Sequence, residues 1–459
     1  MNFLTIVRQL TVSLVISLCL PSVISYGAEV FFEENPSLPL INLSIAFKTG
    51  VVKDPIGRSG ITNFTAEMLL RGTQFHPKEE LDLQLDQMGA SLDVESRIES
   101  IILRGSVLSS QLDRYLALVT EIITQPVFPD QEIIKLKGET VSMIQEELGH
   151  DSSLGARAFS KFLFRNHPYG NPVLGKVRDI QKFTPDEIQR HYKALFQDKF
   201  LLIVGSGDSS QDKILTWATH LGKTLSITNQ GSLEQNPAPV ARPQDTDRRR
   251  LLIIDKPERS QTQINLGQIG VTLTDPDYFS LYLGNHAIGG PSFSSILMQE
   301  IRVKRGWSYG ANSNFRHGLQ PRSWHAHLFP AAKDTAPALA YTISILENLK
   351  KNGITQESFD FSKRSLINSA GFMYNTPAKR VENKLLEKTL NLPEGFMKQY
   401  ASHLAQLQRD RVNQALKEFL KPDRIAITVV GTAKALTDSL AKAAQISPEQ
   451  IEVEAYNLE

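Results

Sequence analysis

Between residues 60 and 73, apolar residues recur with the spacing of a helix. They stand at i, i+3, i+7 and i+8, so one face would be buried; they are Ile61, Phe64, Met68 and Leu69. Ser59 precedes the pattern as a candidate N-cap, and Gly72 follows it as a stop. Asn63 and Glu67 are four residues apart and fall on a second face, beside Ala66. The stretch predicts a helix with one face for a core and one for polar contacts.

Other segments divide into two kinds by their periodicity. Alternating apolar and polar residues predict strands over 29–33, 40–48, 90–96, 99–106, 200–204, 251–255 and 261–271. Helical spacing predicts helices over 78–88, 110–124, 129–148, 185–196 and 210–221. Because strands and helices are mixed rather than strictly alternating, the pattern favours the α+β class, with helices on one face of a mostly antiparallel sheet.

An internal repeat gives the two halves a similar pattern. The stretch FQDKFLLIVGSGD begins at Phe196, and LKPDRIAITVVGTAK begins at Leu420. Each consists of a helix end, a polar turn with an aspartate, and an apolar strand closed by glycine. Because the two copies are about half the chain apart, the repeating unit is a whole lobe rather than a short solenoid motif.

A polar segment separates the two predicted lobes. Residues 226–247 are rich in Gln, Asn, Ser and Pro, and three arginines follow at 248–250. Three charges beside a strand are typical of a solvated edge. The predicted order is an N-terminal signal at 1–28, a first lobe at 29–225, a linker at 226–250 and a second lobe at 251–459.

The N-terminal segment has the pattern of an export signal. A basic stretch ends at Arg8, an apolar core runs from Leu10 to Leu20, and small residues follow up to Ala28. This pattern predicts export to the periplasm or cell envelope; an uncleaved N-terminal anchor is the alternative. The only cysteine, Cys19, lies in the apolar core, so a mature chain would have no disulfide and no thiol chemistry.

Composition excludes several classes of protein. The 459 residues are enough for two to four domains, with 41% hydrophobic and 22% charged residues, as in ordinary globular proteins. The net charge of +1 argues against an electrostatic nucleic-acid binder. No segment after the signal has the roughly 18 consecutive apolar residues of a membrane-spanning helix.

The sequence GITNFTAEMLLRGT, from Gly60 to Thr73, resembles the segment G-x-x-H-F-x-E-H-M-x-F-x-G-T of the pitrilysin family. This family includes insulin-degrading enzyme and the mitochondrial processing peptidases. In it, the two histidines bind zinc and the glutamate activates water. Here Asn63, Ala66 and Glu67 stand at those three positions. Since alanine cannot accept a proton and zinc favours imidazole and thiolate, we expect no peptide hydrolysis and no zinc in this chain alone.

A later helix resembles the part of the family that supplies the third zinc ligand. Glu139 and Glu146 match its E-x6-E spacing, and Glu146 would be the ligand position. Two solvated charges on an amphipathic helix are the alternative. A second alternative is that Asn63, Glu67 and Glu146 bind a hard cation such as Mg²⁺ or Ca²⁺.

The second half contains a better-preserved motif. The stretch from Gly289 to Gly310 resembles the family's C-terminal signature G-G-x-x-x-S-x-L-x-x-x-I-R-x-x-x-G-x-x-Y, whose Arg and Tyr bind the substrate backbone and the developing oxyanion. The matching residues are Arg302, at the end of a helix predicted from Ser294, and Tyr309, at the start of a strand. A helix-capping arginine and a core tyrosine are the structural alternative.

Other residues are weaker candidates. The HPYG loop at 167–170 resembles a structural loop of the family, and His167 is expected to form hydrogen bonds rather than bind a metal. His325 and His327 share one strand face, but no third metal ligand is evident, so polar-face histidines are favoured. Glu146 and His150 are one helical turn apart, although Gly149 suggests that the helix ends there.

The resemblance implies two lobes that form a clamshell, and one of two functions. The chain would be a non-catalytic subunit of a heterodimeric envelope zinc peptidase, supplying Arg302 and Tyr309 to a partner that carries H-x-x-E-H and zinc. The alternative is a peptide-binding or assembly protein of the cell envelope with no proteolytic role. No nucleic acid is expected as a partner.

Overall fold

The computed structural model describes residues 28–229 and 240–457. Residues 1–27 of the predicted signal, with Cys19, and residues 230–239 of the predicted linker lie outside this description. The first half forms a five-stranded sheet from β1 (Glu29–Glu34), β2 (Leu40–Phe47), β3 (Ser91–Ser96), β4 (Ile101–Leu108) and β5 (Leu201–Gly207). Its strand order is β1-β5-β2-β4-β3, so β3 is an edge strand.

Eight helices accompany this sheet in the described part of the first half. They are α1 (Ile61–Met68), α2 (Lys78–Met88), α3 (Leu112–Thr124), α4 (Asp130–Gly149), α5 (Asp151–Leu163), α6 (Val177–Ile180), α7 (Pro185–Leu195) and α8 (Gln211–Thr228). Apolar residues of β2, β4, β5, α3, α7 and α8 form the core on one face of the sheet. The last helix continues three residues past the predicted lobe boundary at 225.

The second half repeats this architecture with one more strand. Its strands are β6 (Arg250–Asp255), β7 (Gln263–Ile269), β8 (Ser308–Phe315), β9 (Ser323–Pro330), β10 (Ala426–Gly431) and β11 (Ile451–Ala455). Its helices are α9 (Tyr278–Gly289), α10 (Thr335–Asn352), α11 (Gln356–Ala370), α12 (Pro377–Thr389), α13 (Tyr400–Gln406), α14 (Arg409–Phe419) and α15 (Ala433–Ala444). The strand order is β11-β6-β10-β7-β9-β8, which makes β8 an edge strand.

The sequence repeat corresponds to equivalent strands of the two sheets. β5 lies parallel to β1 and antiparallel to β2. β10 lies in the same way parallel to β6 and antiparallel to β7. Each is fully buried and is preceded by a short 3-10 turn, at Asp198–Phe200 and Pro422–Arg424. The structure thus consists of two α+β lobes with mostly antiparallel sheets, as predicted.

One helix of each lobe packs on the sheet of the other lobe. α5 packs on the second sheet, where Phe159 and Phe162 join a core with Leu252 and Val430. α12 packs on the first sheet in return through Leu385. In addition to the predicted helices on one face, the second face of each sheet is therefore partly covered by a helix from the other lobe.

The tips of two hairpins also join the lobes. Glu99, in the β3–β4 turn, accepts hydrogen bonds from the Leu319 backbone N–H at 2.9 and 3.0 Å and from the Tyr169 hydroxyl. Leu319 lies in the β8–β9 turn. The Tyr169 hydroxyl in turn accepts from the Gln320 N–H at 2.9 Å. A single carboxylate thus connects two lobes whose hairpins are over 200 residues apart in sequence.

Two of the three arginines at 248–250, where β6 begins, do not form a solvated edge. The Arg249 side chain is 8% exposed and donates to the carbonyl oxygens of Pro422 and Ala444 at 2.8 and 2.7 Å. Arg250 lies over the Phe162 ring of α5, 4.7 Å from its centroid. The prediction of solvated charges is wrong for these two residues, because their donors complete buried carbonyl groups and cover an aromatic ring.

The start of α1 is set by a buried carboxylate rather than by Ser59. Asp54 accepts hydrogen bonds from the Gly60 N–H at 2.6 Å and the Thr62 N–H at 3.0 Å. Gly60 is the N-cap residue, with φ of 93° in the left-handed region that favours glycine. A Cβ at this position would lie 2.6 Å from the Cα of Gly175. The 171–175 loop therefore has a structural role, because it holds the start of α1 by close backbone contact.

We expect Asp54→Ala to lower the free energy of unfolding by about 1–2 kcal/mol, because two N–H groups at the start of α1 lose their acceptor. Urea unfolding at pH 8 measures this, since burial raises the pKa of Asp54 to about 6 and the carboxylate is ionised there. Asp54→Asn is the matched control, because it keeps one acceptor oxygen. Equal stability of the alanine variant and the native chain would contradict the capping role.

Candidate functional site

The zinc-binding frame of the first lobe is present on α1, but its residues do not suit zinc. Asn63 is 6% exposed, Ala66 is fully buried and Glu67 is half-buried. The apolar residues of the same helix pack into a core with Phe183, whose ring centroid is 5.4 Å from that of Phe64. The apolar face predicted for α1 is therefore present. On the second face, Ala66 joins the core of the first sheet and Glu67 is half-buried.

Glu67 lies among acids and one arginine. Burial raises the pKa of Glu67; Arg71 lowers it, while Glu139 and Asp93 raise it further. Arg71 itself forms ion pairs with Glu139 and, at 3.2 Å, with Glu132. The Arg71 guanidinium therefore contacts two acidic side chains of α4 close to Glu67. The three motif positions on α1 hold no imidazole, and Ala66 stands where the family has its general base.

The structure does not bring Glu146 together with Glu67. The Glu146 side chain is 75% exposed, and its nearest ionic neighbour is His150 at 3.8 Å. Within residues 28–229 and 240–457, no three His, Cys, Asp or Glu side chains are placed to bind a metal ion. The first-lobe residues thus fit neither zinc nor a hard cation such as Mg²⁺ or Ca²⁺.

The second motif lies where a helix changes to a strand. Helical turns begin at Ile296 rather than at the predicted Ser294, and Met298–Val303 form a π-helix. Such wide turns occur often at functional sites. Gly306, with φ of 65°, ends the turn before β8. A short turn therefore connects Arg302, in the π-helix, to Tyr309, in β8.

Arg302 and Tyr309 converge on the surface. The Arg302 guanidinium carbon is 5.9 Å from the Tyr309 ring centroid and 4.9 Å from that of Phe293, a residue that the sequence analysis missed. Tyr309 is 74% exposed and Phe293 is 63% exposed. Among the described residues, no carboxylate lies within 4 Å of the Arg302 guanidinium. Two hydrogen-bond donors are therefore held close together, with an aromatic ring on the far side of the cation.

The remaining candidate residues are three histidines, of which His167 and His327 have hydrogen-bond partners. His167 accepts from the Tyr169 N–H at 3.1 Å, and its Nε2 lies 2.8 Å from the Ala241 carbonyl oxygen, so the expectation of a hydrogen-bonding residue is confirmed. His327 Nε2 lies 2.9 Å from Gln263 Oε1. His325 is 7% exposed, and its Nδ1 has no hydrogen-bond partner in the described structure.

β3 in the first lobe and β8 in the second are edge strands of their sheets. β3 is hydrogen-bonded to β4 on one side, and β8 is hydrogen-bonded to β9 on one side. Neither has a second neighbouring strand in the part of the chain that the structure describes. Tyr309 lies at the start of β8, and Asp93, near Glu67, lies on β3. An extended segment could therefore pair with either edge.

Comparison with family models identifies the family to which this chain belongs. Residues 29–177 match the family model described as insulinase (Peptidase family M16), and residues 182–366 match the one described as peptidase M16 inactive domain. The chain belongs to the M16 peptidase family. This confirms the family predicted from the two motifs. The M16 chain described here lacks the zinc ligands and the base in its first lobe.

Relatives and solved structures agree with this assignment. A protein named non-peptidase homolog YmxG from Helicobacter pylori is 22% identical and covers 88% of this chain and 92% of its own length. One named uncharacterized zinc protease YmxG from Bacillus subtilis is 20% identical over 86% of this chain and 94% of its own. A Pseudomonas fluorescens structure of a peptidase M16 inactive domain has a TM-score of 0.81 at 24% identity, covering 89% of this chain and 96% of that one.

None of the described helices has the length and apolar character needed to cross a bilayer.

Proposed function

We propose that this M16 chain is the non-catalytic, substrate-binding subunit of a heterodimeric zinc peptidase of the cell envelope. Its partner would be a related chain with an intact H-x-x-E-H motif and zinc. Together, Arg302 and Tyr309 of this chain would bind the peptide and the oxyanion that forms as water adds to the scissile carbonyl. The export pattern at the N-terminus supports an envelope location.

The observation that supports this proposal best is the state of Arg302. A guanidinium that lies beside two aromatic rings and has no carboxylate partner among the described residues can donate to a developing negative charge without first breaking an ion pair. The Tyr309 hydroxyl is a second donor on an exposed ring. The first lobe, by contrast, has alanine where a base would be needed. The presence of these donors in the second lobe, together with the alanine in the first, favours a role in trans.

The open edge strands support a second function. An extended peptide can add to a free sheet edge, where backbone hydrogen bonds give affinity. β3 and β8 both offer such edges. A peptide-binding or assembly protein of the envelope would use these edges without any hydrolysis.

Reconstitution separates the two functions. The chain alone is expected to show no peptidase activity. Mixing it with a co-purifying H-x-x-E-H chain from the native envelope is expected to give zinc-dependent cleavage of a quenched-fluorescence peptide. The partner chain with its catalytic glutamate changed to glutamine is the matched control, since it keeps the complex and loses the base. A stable complex without cleavage would favour the assembly function, and cleavage by this chain alone would contradict both.

A further inference from the structure

A cleft of about 480 Å³ lies between the lobes, at the end of β8 away from Tyr309. The first lobe contributes the end of β3, part of α5 and the loop after Tyr169 to its walls. The second lobe contributes Arg316, Arg322 and His325 from the β8–β9 hairpin. The cleft is therefore built only when both lobes are in contact.

The charges that line this cleft do not balance. Arg97 is paired with Glu95 at 2.6 and 2.9 Å, and Arg157 is paired with Glu147 at 3.0 Å. Arg316 and Arg322 have no carboxylate within ion-pair distance among the residues that the structure describes. The Glu99 carboxylate acts on Arg322 only from beyond ion-pair distance, so the two guanidinium groups leave an excess of positive charge at one small space.

Arg322 is the more constrained of the two. Its Nε is buried without a hydrogen-bond acceptor, and its guanidinium carbon lies 5.5 Å from the Tyr169 ring centroid. Glu99 is nearby, but its carboxylate already accepts from Tyr169 and Leu319. Burial lowers the pKa of Arg322 and Arg316 lowers it further, while the charge of Glu99 raises it. A buried donor without an acceptor is costly, so an anionic ligand would stabilise this arrangement.

His325 adds an unpartnered polar group to the same cleft. The side chain is more than nine-tenths buried, with its ring centroid 5.3 Å from that of Phe159 on α5. Its Nδ1 has no partner, as noted above. Burial lowers the pKa of His325 to about 3, so the ring is neutral at pH 7 and can present one N–H. Three groups able to donate hydrogen bonds thus surround one small volume.

We propose that this cleft binds a carboxylate group of the peptide that lies between the lobes. A planar guanidinium donates two parallel hydrogen bonds to a carboxylate, which matches the unpaired Arg322 and Arg316. The choice of a peptide as ligand rests on the proposed function. From Tyr309 to Phe315, the last residue of β8 before the cleft, six residue steps at about 3.3 Å each span about 20 Å. One extended peptide could therefore reach both sites.

The carboxylate could belong to the C-terminus of the peptide or to an Asp or Glu side chain, and three probes distinguish these sources. They are acetyl-Ala-Ala-Ala with a free carboxylate, acetyl-Ala-Asp-Ala amide and the uncharged acetyl-Ala-Ala-Ala amide. Binding to the full chain is followed by NMR of arginine side chains labelled with ¹⁵N, in which the Nε–H signals of Arg316 and Arg322 report directly on the site. At least one acidic probe is expected to bind about tenfold or more tightly than the uncharged amide.

Variants establish where the acidic probe binds. Arg322→Gln and Arg316→Gln are each expected to reduce its affinity to that of the uncharged amide. Arg114→Gln is the matched control, because Arg114 is exposed and only donates to Gln87 at 3.2 Å, away from the cleft. If Arg322→Gln fails to fold, the exposed Arg316 provides the second test.

Two results would overturn the proposal: equal binding of all three probes, or tighter binding of an acidic probe that survives both substitutions. Tighter binding of the Asp probe alone would assign the site to a side chain, and tighter binding of the free acid alone would assign it to the C-terminus. These results do not depend on cleavage by a partner. A failed reconstitution would therefore count against the proposed function and leave the carboxylate site standing.

Discussion

Arg302→Ala is expected to lower kcat for peptide cleavage by the reconstituted complex about 100- to 1000-fold, as loss of one oxyanion donor does elsewhere. KM should change less, because the interaction strengthens as negative charge develops on the substrate oxygen. Steady-state kinetics on a quenched-fluorescence peptide measure both quantities. The effect is expected only in the complex, since Ala66 stands at the position of the base in this chain.

Lys304→Ala is the matched control for Arg302. It removes a positive charge two residues away, but Lys304 is 60% exposed and paired with Glu300 at 2.6 Å. We expect its kcat to remain within about twofold of the native complex, because exposed ion pairs contribute little. Tyr309→Phe tests the second donor and should show a smaller loss than Arg302→Ala, since a neutral hydroxyl donates more weakly than a guanidinium. Full activity of the Arg302→Ala complex would refute the assigned role.

Glu99→Ala is expected to weaken the contact between the lobes and to lower the free energy of unfolding by about 2–4 kcal/mol. The substitution removes the acceptor of the Leu319 N–H and of the Tyr169 hydroxyl. Tyr169 is 1% exposed, so water cannot readily replace the lost partner. Urea unfolding followed by tryptophan fluorescence measures the change, and the amide of Leu319 should exchange its hydrogen faster.

Glu95→Ala is the matched control on the same hairpin. Glu95 pairs with Arg97 and Arg104, both of the first lobe, at an exposed position. Its loss should therefore cost less than about 1 kcal/mol and leave exchange at Leu319 unchanged. Glu99→Gln should retain part of the contact, because one acceptor oxygen remains. If Glu99→Ala exchanged at Leu319 at the native rate, the hairpin contact would not hold the lobes together.

Local patterns identified most elements of the first lobe. The helix predicted at 78–88 is α2, and that predicted at 185–196 is α7 to within one residue. Apolar spacing is sufficient there because each helix buries one face against its own lobe. The boundary of α8 was less predictable, since its last turns contain polar residues and still remain helical to Thr228.

The site was predictable in its residue types but not in its contacts. Arg302 and Tyr309 were found because they keep the spacing of a known motif. Phe293, which stacks on Arg302, carries no such signal, because an aromatic residue in a loop has many uses. The ion pair of Arg71 with Glu139 joins residues 68 positions apart, and no local period could indicate it.

The sequence by itself determined the family, the duplicated α+β lobes and the absence of the zinc motif's two histidines and glutamate. These features follow from which residue types stand at fixed positions along the chain. Ala66 has no proton acceptor in any fold. Only the tertiary structure decided which sheets α5 and α12 cover, how Glu99 joins two hairpins, and that Arg316 and Arg322 share a cleft. These features depend on which surfaces meet after folding, and periodicity shows that a helix has a buried face without showing what buries it.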